Sequence, residues 1–231
     1  MKIRFLIVCL MLLISPCAFG IQDADLIREQ SIQNRINAVG TRILNANKID
    51  NRIIFVYNKS EKKSLLKSNN NLIKREVVLY DKNFKFIENM DEKAAYLARE
   101  IAIAARSYDG IANGGLSSLQ IAAAPKKYEM TADKIAVDYM VKADYNPIGL
   151  ITYINKSCPQ RRFDMFSMNN LTSKRLAVIY EYIYTKYPYY LVNNPYLETD
   201  SYQNFLLTSA NNRKLLAYKI RTKSTKDIKY E

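Results

Sequence analysis

The sequence contains no histidine among its 231 residues. Imidazole is therefore absent as a metal ligand, as a general base and as a proton carrier. This absence excludes Ser-His-Asp and Cys-His catalysis, and it excludes zinc or haem sites that are ligated by histidine. It becomes informative about function only where a motif should contain a histidine.

Cysteine is also scarce, with three residues, of which Cys9 and Cys17 lie close to the N-terminus. Cys158 is the one cysteine in the rest of the chain, and a single cysteine cannot form an internal disulfide. Without a nearby base, its thiol is a poor candidate for a nucleophile. We therefore expect Cys158 to be a half-buried thiol of the core.

The N-terminal segment predicts export. Lys2 and Arg4 precede a ten-residue apolar run from Phe5 to Ile14, and a small-x-small cleavage site, Ala18-Phe19-Gly20, follows. A run of this length is too short to cross a bilayer, which needs about 20 residues. We predict a signal peptide over residues 1–20, cleaved near Gly20, and a secreted or periplasmic mature protein. An uncleaved N-terminal anchor is the alternative.

The net charge is +13, and the surplus is partly concentrated in residues 211–231, where seven Lys and Arg residues face Asp227 and Glu231. One interpretation is contact with an anionic surface of the cell envelope. The interpretation that we favour is a solvated, partly disordered tail. Nucleic acid is not an expected partner, because the chain carries an export signal and no recognisable nucleic-acid-binding motif.

Hydrophobic periodicity gives the order of the elements. Ile32, Ile36, Val39 and Ile43 share one face of a helix predicted within residues 23–46. Two strands are predicted at residues 52–57 and 76–80, with a polar loop through residues 69–71 between them. Further helices are predicted at residues 90–108, 126–143, 147–156, 172–187 and 202–221. A helix, a short sheet and then several helices indicate an α+β domain.

The helix predicted at residues 90–108 is apolar on nearly every face, which is typical of a buried helix. Arg99 and Glu100 lie in its middle, and charges in such surroundings need partners. Glu129 and Asp133 are four residues apart and therefore share one face of the next long helix. They are natural counter-charges for Arg99.

These two helices together resemble family 48 of the gluzincin metallopeptidases, the HtpX- and BepA-like proteases. The resemblance rests on Leu-Ala-Arg-Glu-Ile-Ala-Ile at residues 97–103 and on Glu-x-x-Ala-Asp at residues 129–133. Weaker similarities at residues 39–40, 142–147 and 167–175 extend it over roughly residues 25–190. In that family one helix carries H-E-x-x-H and the next carries E-x-x-A-D. The two histidines and the glutamate of the second helix bind zinc, and the glutamate between the histidines is the general base.

The resemblance implies a zincin-like fold, a small sheet with a mostly helical bundle around the active-site helix. This metallopeptidase-like domain would cover residues 21–190, followed by a C-terminal helix and basic tail at residues 191–231. Glu100 stands at the general-base position and Glu129 at the position of the third zinc ligand. Asp133 stands at the position of a supporting carboxylate.

The histidine positions differ from the family pattern. Arg99 and Ile103 occupy the two ligand positions, and Asn169 occupies the position of a later histidine. Zinc would keep one protein ligand of three, so we expect no metal and no zinc cofactor. Our hypothesis is that Arg99 replaces the ion electrostatically by bridging Glu129, with Asp133 or Glu100 as a second acceptor.

This pattern favours an exported, catalytically inactive pseudopeptidase of the metalloendopeptidase type. Its expected partners are unfolded or extended protein segments, bound by a chaperone-like envelope module with a role in protein quality control. One alternative is an active metalloendopeptidase with an atypical metal site built from oxygen ligands. The other is a basic structural protein that binds a surface through its tail.

Overall fold

The computed structural model describes residues 2–59, 70–71, 76–112, 125–158 and 170–230, which are mostly helical with one small sheet. The N-terminal elements are α1 (Lys2–Ala46), β1 (Ile54–Asn58), β2 (Asn70–Asn71), β3 (Glu76–Tyr80) and α2 (Asp81–Phe84). The central helices are α3 (Met90–Ala112), α4 (Pro125–Lys142), α5 (Ile148–Ser157) and α6 (Thr172–Lys186). The chain continues with α7 (Tyr189–Val192), α8 (Asp200–Thr208) and α9 (Ala210–Arg221). The predicted α+β class is confirmed.

The sheet has the order β1-β3-β2. β1 runs parallel to β3, with Ile54 opposite Glu76, and β2 runs antiparallel to β3, with Asn70 opposite Val77. The prediction of a loop through residues 69–71 is therefore wrong for Asn70 and Asn71. Asparagine has a low strand propensity, but pairing with a neighbouring strand overrides so weak a local preference.

The face of α1 that the periodicity predicts is the face that packs on the core. Ile36, Val39 and Ile43 are fully buried, and α1 packs against β1 and α3. Gly40 lies on the same side, and a Cβ atom there would come within 2.3 Å of the Phe55 ring. The glycine weakens the helix locally, but it allows α1 to approach β1 closely. In the described part of the chain, no helix is both long and apolar enough to cross a membrane.

A side chain of α1 also forms hydrogen bonds with the backbone of β1. The Gln33 amide donates from Nε2 to the Phe55 carbonyl at 2.8 Å, and its Oε1 accepts the Tyr57 N–H at 2.7 Å. These are the contacts that the backbone of a neighbouring strand would make. The middle of β1 is therefore closed to an added strand on this side.

Helix α3 is the central element, and α1, α4 and α5 pack around it. Residues 94–98, Ile101, Ala102 and Ala104 are all buried, which confirms the prediction of a buried helix. Its N-terminus is tied to the start of α5, where the Asp91 carboxylate accepts the Asn146 N–H at 3.0 Å. A Cβ atom at Gly149 would come within 2.8 Å of the Asp91 backbone, so these helix ends are in close contact. This packing fixes the direction in which α3 presents Arg99 and Glu100.

The prediction of a single helix at residues 202–221 is wrong, because the chain forms two helices that meet at Ser209. Ser209 is buried and leaves the helical conformation, with φ −94° and ψ 6°. Its hydroxyl accepts a hydrogen bond from Arg213 Nε at 3.2 Å. The serine side chain therefore offers α9 a polar contact at its first turn, which favours a break.

The C-terminal segment returns to the body of the protein. Tyr230 is buried, and its hydroxyl donates to Glu181 Oε2 of α6 at 2.8 Å. The favoured interpretation of a partly disordered tail is therefore wrong for the end of this segment. The buried Tyr230 side chain attaches the end of the segment to the core. A count of charges over residues 211–231 gives no indication of this apolar contact.

Candidate functional site

Charged side chains from three helices meet in the centre of the helical layer. Arg99 and Glu100 come from α3, Glu129 and Asp133 come from α4, and Arg175 comes from the first turns of α6. We refer to these five residues as the arginine–carboxylate cluster. Its three carboxylate residues are each less than a tenth exposed.

Asp133 is the centre of the cluster, and its side chain is only 1% exposed. The Arg175 guanidinium forms a two-pronged contact with it, from Nε to Oδ2 and from Nη2 to Oδ1, both at 2.9 Å. Arg99 Nε donates to the same Oδ1 atom at 3.1 Å. Charge-assisted bonds of this kind are among the strongest in proteins, and here they join α4 to both α3 and α6.

Arg99 lies between two acceptors. Besides Asp133, it donates from Nη1 to Glu100 Oε1 at 3.1 Å, and its side chain is 20% exposed. Burial works to lower the pKa of Arg99, and the nearby Arg175 adds to that effect. Asp133, Glu100 and Glu129 outweigh both, so that the pKa of Arg99 is raised. Arg99 therefore points into the cluster, and both of the second acceptors that the sequence suggests, Asp133 and Glu100, receive a hydrogen bond from it.

Glu129 has a different partner from the one that the sequence suggests. Its Oε1 lies 3.2 Å from Arg175 Nη1, and its Oε2 accepts from the backbone N–H and side-chain amide of Asn170 at 2.9 and 3.0 Å. The expected bridge from Arg99 to Glu129 is therefore made by Arg175. Arg99 still influences Glu129 through space, since the two charges attract.

Arg175 is the functional residue that the sequence reasoning missed. Its side chain is 6% exposed, and burial works to lower its pKa, but Asp133 more than compensates and the pKa is raised. The guanidinium therefore stays charged in the interior. A count of charges could have found it, because three buried carboxylates need more than the single cation Arg99.

A pocket of about 240 Å³ lies beside the cluster. Its charged lining comes from Arg99, Glu100, Glu129 and Arg175, and its aromatic lining comes from Phe86, Tyr96 and Tyr153. Burial raises the pKa of Tyr153, so its phenol stays protonated to a higher pH than that of an exposed tyrosine. The pocket thus combines an aromatic wall with charged groups that already have partners, which suits contact with an uncharged or mixed-polarity group.

Cys158 lies at the edge of this pocket as a free, half-buried thiol, as expected. Its Sγ accepts a weak hydrogen bond from Arg175 Nη1 at 3.6 Å.

Of the two remaining positions from the family pattern, the structure describes Ile103. Ile103 lies one turn after Arg99 on α3, half-buried, and its carbonyl accepts from the Tyr128 hydroxyl at 3.2 Å. Asn169 lies outside the described residues. Its neighbour Asn170 contacts Glu129 and also donates from its amide to the Lys126 carbonyl at 2.7 Å.

The residues of the cluster do not fit a zinc site. Zinc needs about four donors in a tetrahedron. Here a guanidinium lies against each of the three carboxylates. Among the described residues, no group of three or more His, Cys, Asp or Glu side chains is arranged to hold a metal ion.

No family model, curated protein or solved structure matches this chain. The chemistry of the site is therefore inferred from its own residues. Two guanidinium groups and three carboxylates bind three helices together, and an aromatic-walled pocket opens beside them.

Proposed function

We propose that this protein is a metallopeptidase-like polypeptide-binding protein without peptidase activity. In this proposal the scaffold is of the gluzincin type, and the guanidinium groups of Arg99 and Arg175 balance carboxylates that a metal ion balances in the active enzymes. The observation that carries the proposal is the position of Asp133, which both guanidinium groups contact at 2.9–3.1 Å.

The contacts of the catalytic positions support the proposed loss of activity. Glu100, at the position of the general base, is 3% exposed and holds the Arg99 guanidinium. A base that activates water must reach that water, and in zinc peptidases the metal also lowers the pKa of the water. Ile103 offers no donor atom, and Arg99 adds a permanent positive charge where a cation would have to bind.

The pocket supports a binding function. Its aromatic wall and its paired charges resemble the lining of pockets that receive a side chain of a bound polypeptide. β1 is a less suitable site for an extended peptide, since Gln33 occupies the Phe55 carbonyl and the Tyr57 N–H. We therefore place the bound segment at the pocket rather than along this side of β1. Together with the predicted signal peptide at residues 1–20, this pocket supports the role that we propose, a chaperone-like module of the envelope.

Metal analysis tests the loss of the metal site directly. We expect the purified protein to retain much less than one equivalent of zinc after exposure to zinc and gel filtration, because the carboxylates are already paired with guanidinium groups. We also expect no cleavage of casein with zinc, manganese, magnesium or calcium added. Stoichiometric zinc, or cleavage with any of these ions, would contradict the proposal and favour an enzyme with an atypical metal site.

Binding of an unfolded protein tests the role of the pocket. Ser157 lines the pocket at the C-terminal end of α5, and Ser157→Phe would fill part of its volume. We expect this variant to bind fluorescein-labelled casein about tenfold more weakly in an anisotropy titration, since hot-spot pockets carry about this much affinity.

Thr185→Phe is the matched control, because Thr185 is exposed on α6 and does not line the pocket. It should bind casein as the unmodified protein does. Equal affinities for all three proteins would show that casein binds elsewhere, and no binding by the unmodified protein would remove the proposed function.

A further inference from the structure

The C-terminal segment is held as a closed loop on α6. Lys219 Nζ lies 2.8 Å from Glu181 Oε1, and the Tyr230 hydroxyl donates to Glu181 Oε2 at 2.8 Å. Both ends of residues 219–230 are therefore attached to the same carboxylate. We refer to this segment as the C-terminal loop.

The C-terminal loop and α9 present basic side chains to solvent. Lys223, Lys226 and Lys229 are exposed on the loop, and Lys214 and Arg221 are exposed on α9. Asp227 is the single acidic residue between positions 213 and 230. Because Glu181 holds the ends of the loop, little chain entropy is lost when these charges meet a binding partner.

Large side chains with apolar surface are also exposed on α9. Tyr218 is 60% exposed, Leu215 is 43% exposed and Ile220 is 40% exposed. Lys214, Tyr218 and Arg221 are spaced four and three residues apart, so they share the outward face of α9. The Arg221 guanidinium lies 5.7 Å from the centre of the Tyr218 ring. Together with the lysines of the loop, Lys214, Tyr218 and Arg221 form the C-terminal basic face.

We propose that the C-terminal basic face docks on the surface of an anionic lipid bilayer. Lysine and arginine side chains near such a surface gain from the negative potential of its headgroups. The exposed Tyr218 side chain gains in addition when it enters the interfacial region, where the ring and the hydroxyl of tyrosine are both accommodated. A soluble polyanion offers the electrostatic attraction, but it has no apolar phase into which a side chain can insert. An anionic bilayer offers both, so it is the better fit. This proposal does not depend on peptide binding at the pocket.

The absence of tryptophan gives a specific probe for this face. Tyr218→Trp places the only indole of the chain on α9, and its fluorescence reports local insertion even when another segment also meets the membrane. With the full chain, we expect a blue shift on phosphatidylglycerol vesicles and quenching by their brominated counterparts. We expect neither change on phosphatidylcholine vesicles. Tyr189→Trp, at an exposed position on α7, is the matched probe that should stay unquenched.

Removal of lysine charges in the Tyr218→Trp variant tests the electrostatic contribution to membrane binding. The first set replaces four exposed lysines of the face by glutamine, at Lys214, Lys223, Lys226 and Lys229. The control set replaces four exposed lysines elsewhere, at Lys48, Lys85, Lys127 and Lys142. Both sets lower the net charge by the same amount. We expect the first set to weaken binding to phosphatidylglycerol vesicles at least about tenfold and the control set to weaken it about twofold or less.

Three outcomes would overturn the proposal. The first is an unchanged indole spectrum on phosphatidylglycerol vesicles, and the second is an equal loss of binding in both lysine sets. The third is equal quenching at positions 218 and 189, which would mean that another part of the chain brings the whole protein to the membrane. If the indole spectrum responds to heparin but not to vesicles, the face binds a soluble polyanion instead of lipid.

Discussion

Replacing Arg175 by methionine is expected to lower the free energy of unfolding by roughly 3–5 kcal/mol, the usual effect of removing one partner of a buried ion pair. Asp133 would lose two of the three hydrogen bonds that it receives from arginine, and Glu129 would lose its ion pair. Both carboxylates would remain buried. Chemical denaturation followed by circular dichroism measures the change.

Two further substitutions show whether buried charge is the cause. Arg99→Met should cost less than Arg175→Met, because Arg99 is more exposed and Asp133 would keep both bonds from Arg175. Arg42→Met is the matched control, since its ion pair with Asp144 joins side chains that are 49% and 92% exposed. It should change the stability by about 0–1 kcal/mol.

The double variant Arg175→Met, Asp133→Asn separates lost charge pairing from lost packing. A neutral amide at position 133 should recover part of the stability lost in Arg175→Met, because no unpaired charge would be left at that position. If Arg175→Met costs no more than Arg42→Met, the cluster does not hold the three helices together. If the double variant is the less stable of the two, packing rather than charge explains the loss.

The sequence predicts the helices of the core and the location of the cluster because both depend on local patterns. Ile36, Val39 and Ile43 repeat with the period of a helix, and all three are buried. The spacing of Glu129 and Asp133 places them on one side of α4, where both meet an arginine. In each case the relevant residues lie within a few turns of one another.

The pairing of Arg175 could not be predicted in the same way. It lies 42 residues after Asp133, and no periodicity fixes which of two arginines meets which carboxylate. The contacts of Gln33 with β1 and the attachment of Tyr230 to Glu181 are also long-range. Side chains of this kind are placed by the packing of whole elements, so their partners become known only from the fold.

The second large effect is expected at alkaline pH, where the protein should unfold cooperatively as its tyrosines ionise. Burial raises the pKa of Tyr57 to about 12 and that of Tyr202 to about 12. In all, ten of the described tyrosines have a raised pKa, with burial as the largest cause: Tyr57, Tyr145, Tyr153, Tyr180, Tyr182, Tyr187, Tyr190, Tyr196, Tyr202 and Tyr230.

Several of these phenols donate to a carboxylate, as Tyr57 does to Asp81, Tyr230 to Glu181 and Tyr196 to Asp91. Ionisation would place two negative charges at hydrogen-bonding distance, and this effect acts together with burial in raising the pKa of each of these phenols. Tyrosine ionises near pH 10 in the unfolded chain. Above that pH the folded state keeps protons that the unfolded state releases, so the stability falls as the pH rises. The protonated tyrosines make their full contribution to the stability below about pH 10. This contribution is lost as the pH rises through their pKa values in the folded state, which are about 12 for Tyr57 and Tyr202.

A titration that records phenolate absorbance and helical circular dichroism together measures this linkage. We expect the buried phenols to ionise only in the step in which the helical signal is lost, between about pH 10 and 12. Return to neutral pH should restore both signals, which separates unfolding from chemical damage. Ionisation of all the tyrosines near pH 10 with an intact helical signal would show that burial does not protect them. The chain has no histidine, so no imidazole titration near neutral pH contributes to the pH dependence of the stability.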